Sequence, residues 1–272
     1  MPLIDPPYFS GFEAIPLEYK NKLWSDGLPW YYKNEQNKAN AVVICLHGFT
    51  ATPYEVSPVG RACLQLGIDG VAPLLPGHGY SQMAEQKKEF SKITKDIMFE
   101  AIRQEIIQAR KHYDFVGIFG HSMGGAIALT MASEGLVDAC TVTAPAIQLP
   151  LRNEILMGLL SWVNISIPKN PDNFYNPNYL FENSKAALVL QRIALHSRQY
   201  LAKITCPTLV VHSHNDPLVN SMVVKLIEEQ VKGSFEAVWF DESGHVMTLD
   251  VKSKEVSEAI AQFLANQIIW RW

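Results

Sequence analysis

The sequence predicts an α/β fold with a mostly parallel central sheet, helices on both faces and an inserted cap. Three observations carry this. Apolar runs that break at Gly, Pro, Asp or Ser recur along the chain, as in 41-AVVICLHG-48, and a strand buried on both faces reads this way. Helix-like stretches separate the runs, and such alternation implies parallel strands joined by helical crossovers. Residues 146–203 then interrupt the rhythm between two strands. An insert at the carboxyl edge of a sheet lies over whatever site that edge carries. No internal repeat, low-complexity tract or flexible linker divides the chain, so residues 1–272 are read as one domain with 146–203 as its cap or lid.

The elements follow in order. Residues 1–40 hold Pro, Tyr and Trp and are expected to supply an antiparallel start in the form of a hairpin. Strands are expected at 41–48, 71–79, 115–120, 138–145, 208–216 and 236–244. Helices are expected at 56–67, 89–112, 124–134, 218–231 and 253–267. In the second of these, Ile93, Ile97, Ala101, Ile102, Ile106 and Ala109 recur at three- and four-residue steps, the period of a helix with one buried face. The run 85-EQKKEFSKITK-95 reads as its solvated start. Residues 124–134 are small and apolar, as suits a helix packed closely on a sheet, and Ser253 is a candidate cap for the last helix.

Composition narrows the function. With 48 % hydrophobic and 18 % charged residues the chain can fill a core. A net charge of −4 and the lack of a dense basic patch argue against nucleic acid as a partner. Cys45, Cys63, Cys140 and Cys206 show neither CxxC nor metal-type spacing and read as buried free thiols, which suits a reducing compartment. The N-terminal stretch lacks the charged region and apolar core of a signal peptide. A cytoplasmic location is therefore expected. The chain ends 268-IIWRW-272; aromatic residues beside a cation can sit at a lipid interface, although packing of a helix end on the core is the favoured reading.

One stretch carries the chemistry. In 117-GIFGHSMGGAIALTMA-132 an apolar run passes into a helix-like sequence through Gly-His-Ser-Met-Gly. A serine on a sharp strand-to-helix turn must take a strained backbone, and Gly120 and Gly124 must be small so that strand and helix can pass. That turn exposes the Ser122 hydroxyl and aims the Met123 N–H at the same space, ready to stabilise an oxyanion. A glycine-rich turn with a capping serine is the plainer alternative.

A serine nucleophile needs a base, and the base an orienting carboxylate, in the chain order Ser, acid, His. Downstream of Ser122 the histidines are His196, His212, His214 and His245. His245, in 243-SGHVMTLD-250, follows a strand and precedes the last helix, where a loop carries it over the site. His212 and His214 are read as structural. Asp216 closes the strand 208–216 beside the His245 loop; Asp241 and Glu242 are rivals but lie too near His245 in sequence. The second oxyanion donor is expected from the Phe49 N–H in 47-HGFT-50, with His47 holding that loop rather than acting chemically.

With these residues in this order, the chain resembles the α/β-hydrolase superfamily over residues 41–265. It looks more narrowly like the bacterial carboxylesterase and monoacylglycerol lipase branch, through 46-LHGFTATP-53, 74-LLPGHG-79 and 243-SGHVMTLD-250. The resemblance implies Ser122 as nucleophile, His245 as base, Asp216 as orienting acid, and the amides of Phe49 and Met123 as oxyanion hole. It implies cleavage of small to medium acyl esters, monoacylglycerols among them, through an acyl-enzyme, with no metal or organic cofactor. The apolar character of the insert favours an acyl chain as ligand, with ordinary packing of the cap as an equal rival. Acyl transfer, thioester or amide hydrolysis use the same triad, and a non-catalytic binding protein of this fold would fail to react with a serine-directed phosphonate.

Overall fold

Strand β2 (Ala41–Leu46) is buried along its whole length and lies inside a seven-stranded sheet. The other members are β1 (Trp30–Tyr32), β3 (Asp69–Ala72), β4 (Phe115–His121), β5 (Ala139–Thr143), β8 (Thr208–His212) and β9 (Phe235–Trp239), in the spatial order β1-β3-β2-β4-β5-β8-β9. A computed structural model describes residues 5–35, 40–148 and 163–269. All neighbouring strands of this sheet are parallel except β1, which runs antiparallel to β3. The carboxyl ends of β2, β4, β5 and β8 therefore share one edge.

Alternation along β2 builds two cores. Val42, Ile44 and Leu46 join Val116 and Ile118 on one face, while Val43 and Cys45 join Phe115 and Phe119 on the other. The first face is covered by α4 (Lys95–Ala109), α5 (Met123–Ser133), α6 (Ser184–Tyr200) and α7 (Met222–Glu228), through residues such as Ile102, Ile127, Ile193 and Ile227. The second is covered by α2 (Ser57–Gln65) and α8 (Ser253–Ile269), through Val59, Cys63, Val256, Ile260 and Leu264. Each such aliphatic side chain contributes about 1.5–3 kcal/mol on burial, which is why the period-two and period-3.6 patterns govern the layout.

Several sequence expectations are corrected. β1 pairs with β3 and not with β2, so residues 1–40 supply an antiparallel edge strand but no hairpin with the first long strand. The helix expected at 89–112 is two helices, α3 (Met83–Phe90) and α4. Thr94 is extended (φ −135°, ψ 158°) and its Oγ1 accepts the Ile97 N–H at 3.2 Å, so a cap divides the run. β3 stops at Ala72 because Pro73 has no N–H to donate. β8 ends at His212, which leaves Asp216 in the following loop. β9 is an edge strand with Glu236, Ala237 and Trp239 exposed. The Ser253 hydroxyl donates back to Thr248 O at 2.6 Å. Cys45, Cys63 and Cys140 are buried free thiols, but Cys206 is only half-buried.

The N-terminal segment runs over the body and is pinned by the buried Glu105 of α4. That carboxylate accepts from Ser10 Oγ at 2.9 Å, from Gly11 N–H at 3.0 Å and from the Tyr8 hydroxyl. In the insert, β6 (Ser166–Pro168) pairs antiparallel with β7 (Phe181–Asn183), and Asn183 caps α6 by accepting from Lys185 and Ala186 N–H. Residues 149–162, including most of the apolar stretch 155–168, lie outside the described residues, as do Trp270, Arg271 and Trp272. Among the described residues no helix is long and apolar enough to cross a membrane.

Candidate active site

The turn from β4 into α5 places Ser122 at φ 53°, ψ −113°, a region that L residues occupy only under constraint. The constraints are visible. Ser122 N–H donates to Thr143 O, and Ser122 O accepts from Ala126 N–H and Ala146 N–H, each at 3.0–3.1 Å. A Cβ on Gly120 would lie 2.2 Å from Gly124 O, and one on Gly124 would lie 2.2 Å from Leu46 O. Only glycine permits strand, turn and helix to close this tightly.

Three predicted side chains meet at the carboxyl edge of the sheet. His245 Nε2 lies 3.0 Å from Ser122 Oγ, and His245 Nδ1 lies 2.8 Å from Asp216 Oδ2. The Asp216 side chain is fully covered and also accepts the N–H groups of Leu218 (2.8 Å) and Val219 (3.0 Å). Burial pushes its pKa up. The hydrogen bond and charge of His245, together with the two amides, outweigh this and hold it below the usual value. The rivals do not enter the site: Asp241 pairs at the exposed surface with His214 at 2.9 Å, and Glu242 meets Lys252 at 3.5 Å. His212 is buried and is kept neutral chiefly by burial, as is His121, whose ring lies 4.9 Å from that of His245.

The His245 loop has an anchor that sequence reasoning missed. Asp250 accepts from Ser243 Oγ at 3.0 Å and from Gly244 N–H at 2.9 Å, and Ser213 Oγ ties Ser243 O to the loop after β8 at 2.8 Å. Asp250 sits in the quoted run 243–250, and the signal was an acid closing a loop rich in backbone donors.

The loop after β2 faces Ser122. His47 is buried and neutral, because burial and the neighbouring His78 both disfavour its charge. Its Nε2 accepts the Leu75 N–H at 3.2 Å, which leaves Nδ1 to carry the proton and donate to Gly48 O at 3.0 Å. Among the described residues neither the Phe49 N–H nor the Met123 N–H makes a hydrogen bond. Thr50 takes φ 68° and is gripped by the insert: Tyr179 N–H donates to its carbonyl at 2.9 Å and Lys169 Nζ to its hydroxyl at 2.8 Å.

These groups open on a cavity of about 340 Å³. Phe49, Ser122, Leu218, Val219 and His245 line it. The described insert residues bring mainly polar groups to it, Lys169, Asn170, Asp172, Asn176, Asn178 and Glu182, with Leu190 beside them. The apolar positions of 184–201, such as Ala186, Val189 and Ile193, are spent instead on packing against the body. Thus the apolarity of this part of the insert reflects packing, and the sequence argument for an acyl ligand loses that support. Among the described residues no group of three or more His, Cys, Asp or Glu converges to hold a metal ion.

Comparison with known proteins adds a family. Residues 43–259 match a family model described as the alpha/beta hydrolase family. A carboxylesterase of Bacillus subtilis (strain 168) is 27 % identical over 236 residues, covering 82 % of this chain and 91 % of that one. A thermostable monoacylglycerol lipase of Bacillus sp. (strain H-257) is 25 % identical over 235 residues, covering 82 % and 90 %. Among solved structures, one reported for metagenome-derived lipolytic enzymes superposes with a TM-score of 0.81 at 20 % identity, covering 90 % of this chain and 100 % of that chain.

Proposed function

The chain belongs to the alpha/beta hydrolase family, and from that premise we propose that it is a serine hydrolase cleaving carboxylic esters with small to medium acyl groups. The observation that carries the reading is the hydrogen-bonded series Ser122–His245–Asp216 at a strained elbow that opens into a cavity. The carboxylesterase and monoacylglycerol lipase names of the two bacillary relatives support ester chemistry.

In this mechanism Ser122 Oγ attacks the ester carbonyl carbon while its proton passes to His245 Nε2. The carbonyl oxygen takes up the electron pair and is held by the N–H groups of Phe49 and Met123. Among the described residues neither N–H has a hydrogen-bond partner, which supports their availability to a developing charge. Collapse breaks the bond to the alcohol, which leaves with the proton from His245. Water then attacks the acyl-enzyme, giving its proton to His245, and the acid departs as Ser122 recovers its own. Asp216 keeps the imidazole in the tautomer with Nδ1 protonated and stabilises the imidazolium. The cap over this cavity is read as residues 146–203, of which 146–148 and 163–203 are described.

The test is a hydrolysis profile over p-nitrophenyl esters of increasing acyl length beside a monoacylglycerol, with Ser122→Ala as blank. Turnover that peaks at short or medium chains and vanishes in the variant supports the proposal. Preference for the glycerol ester narrows it to monoacylglycerols. No turnover of any ester by the folded protein overturns it.

A further inference from the structure

Glu55 is a carboxylic acid that the triad does not use. It lies in the 3-10 turn Pro53–Val56, is only 3 % exposed, and lines the cavity beside Ser122. A buried carboxylate is costly unless specific hydrogen bonds repay it. Its strongest bond is to the oxyanion loop itself: Glu55 Oε2 accepts the Gly48 N–H at 2.6 Å. A Cβ on Gly48 would stand 3.0 Å from Glu55 Oε2, 3.3 Å from the His121 ring and 3.5 Å from Ser122 Cβ, so a bare glycine lies between the carboxylate and the Ser122 side chain.

Two successive peptide planes are clamped as a result. The N–H of the His47–Gly48 peptide is held by Glu55. The C=O of the Gly48–Phe49 peptide is held by His47 Nδ1–H at 3.0 Å and by Ala51 N–H at 3.3 Å. Within one planar trans peptide the C=O and N–H point opposite ways, so fixing that carbonyl turns the Phe49 N–H away from His47. The orientation of the second plane depends on the first, and Glu55 is the group that holds the first.

We propose that Glu55 is a positioning residue of the reaction, whose carboxylate sets the loop that presents the Phe49 amide to the oxyanion. This rests on the serine-hydrolase reading above. Glu55 touches no reacting atom and acts through Gly48. Its second oxygen meets Asn176 Nδ2 at 3.4 Å, and Asn176 and Asn178 both donate to Asp172, so the same carboxylate joins the oxyanion loop to the insert.

The charge on Glu55 changes within the working range. Burial raises its pKa to about 7, against the lowering effect of the Gly48 amide, His245, Asn176 and Lys169. The titratable groups facing it are His245 from the loop after β9 and Lys169 from the insert, with Asp172 behind Asn176; His47 and His121 beside Gly48 are kept neutral by burial. The carboxylate, and with it the stronger charge-assisted bond to Gly48, is present above about pH 7 and is lost as pH falls through that value.

The experiment compares wild type, Glu55→Ala and Glu55→Gln for kcat and KM on a short p-nitrophenyl ester between pH 5.5 and 8.5. The rate of Ser122 labelling by a fluorophosphonate is measured alongside, and folding is checked by circular dichroism. Outright loss of one oxyanion donor costs about 10²–10³ in kcat; a misplaced donor in Glu55→Ala is expected to cost about tenfold or more, with KM within about threefold. Glu55→Gln keeps an acceptor for Gly48 and recovers part of the rate. The ratio of wild-type to Glu55→Gln kcat shrinks toward one as pH falls below 7, a change that a purely structural role would not produce. Wild-type kcat and labelling rate in a folded Glu55→Ala overturn the proposal. Should that variant not fold, a Glu55→Gln rate that keeps a constant ratio to wild type at every pH overturns it instead. If no ester is turned over by wild type, the ester reading fails by itself, and the labelling rates still decide on Glu55.

Discussion

Lys169 reaches from the insert and donates a hydrogen bond to Thr50 Oγ1 at 2.8 Å. Thr50 immediately follows Phe49 and holds φ 68°, a conformation that costs a β-branched residue energy unless its surroundings impose it. Burial lowers the pKa of Lys169, while Asp172, Glu55 and Glu182 oppose that. The insert thus helps to shape the loop that faces Ser122.

Replacing Lys169 with Met should let Thr50 relax. A hydrogen bond from a charged donor contributes about 1.5–3 kcal/mol, and loss of part of this at the loop should lower kcat/KM about tenfold. Steady-state hydrolysis of a short ester checks this; an unchanged rate would mean that Tyr179 N–H alone holds Thr50.

Replacing Asp216 with Asn should leave the fold intact and lower kcat by roughly 10³–10⁴, because His245 loses both its tautomer and its counter-charge. Asp241→Asn should stay close to wild type, since among the described residues the Asp241 carboxylate pairs with the exposed His214 and not with His245. If Asp241→Asn proves the more damaging of the two, Asp216 is the wrong acid.

Gly124→Ala should cost about 3 kcal/mol, because its Cβ would fall 2.2 Å from Leu46 O, a backbone atom of a central strand that has nowhere to move. Thermal unfolding measures the loss. A variant with wild-type stability would mean that the elbow has more room than the structure gives it.

Glu105 supplies a pH test of stability. Burial raises its pKa to about 7, against the lowering effect of its bonds to Tyr8, Ser10 and Gly11. Its unfolded value is near 4.5, so the native state binds the extra proton between these limits. The stability it contributes is full below about pH 4.5 and is lost as pH rises through about 7. The melting temperature of wild type minus that of Glu105→Gln should therefore fall as pH rises from 5 to 8. A difference that is flat with pH would argue that the carboxyl is not held protonated by the fold.

Much of the architecture was legible because its signals are local. The β2 pattern alternates between two buried faces, and the small residues of α5 follow directly from the need to close on β4. That Ser122, Asp216 and His245 would come together was legible from chain order and from their places after β4, β8 and β9. The split between α3 and α4 was missed because Thr94 is a cap inside a run whose apolar spacing continues across it. The hairpin expected from residues 1–40 failed because strand pairing is a choice among distant partners, which periodicity does not encode.

The sequence by itself determined which residues are apolar, where strands and helices alternate, and that a serine stands between glycines at a hand-over from strand to helix. Only the tertiary structure decided that Glu55 lies against Gly48, that Asp250 ties down the His245 loop, and that the insert turns polar side chains to the cavity while its helix buries its apolar face in the body. These depend on which distant segments meet. A buried carboxylate takes its role from the amide it happens to face, and no local pattern of residues records that meeting.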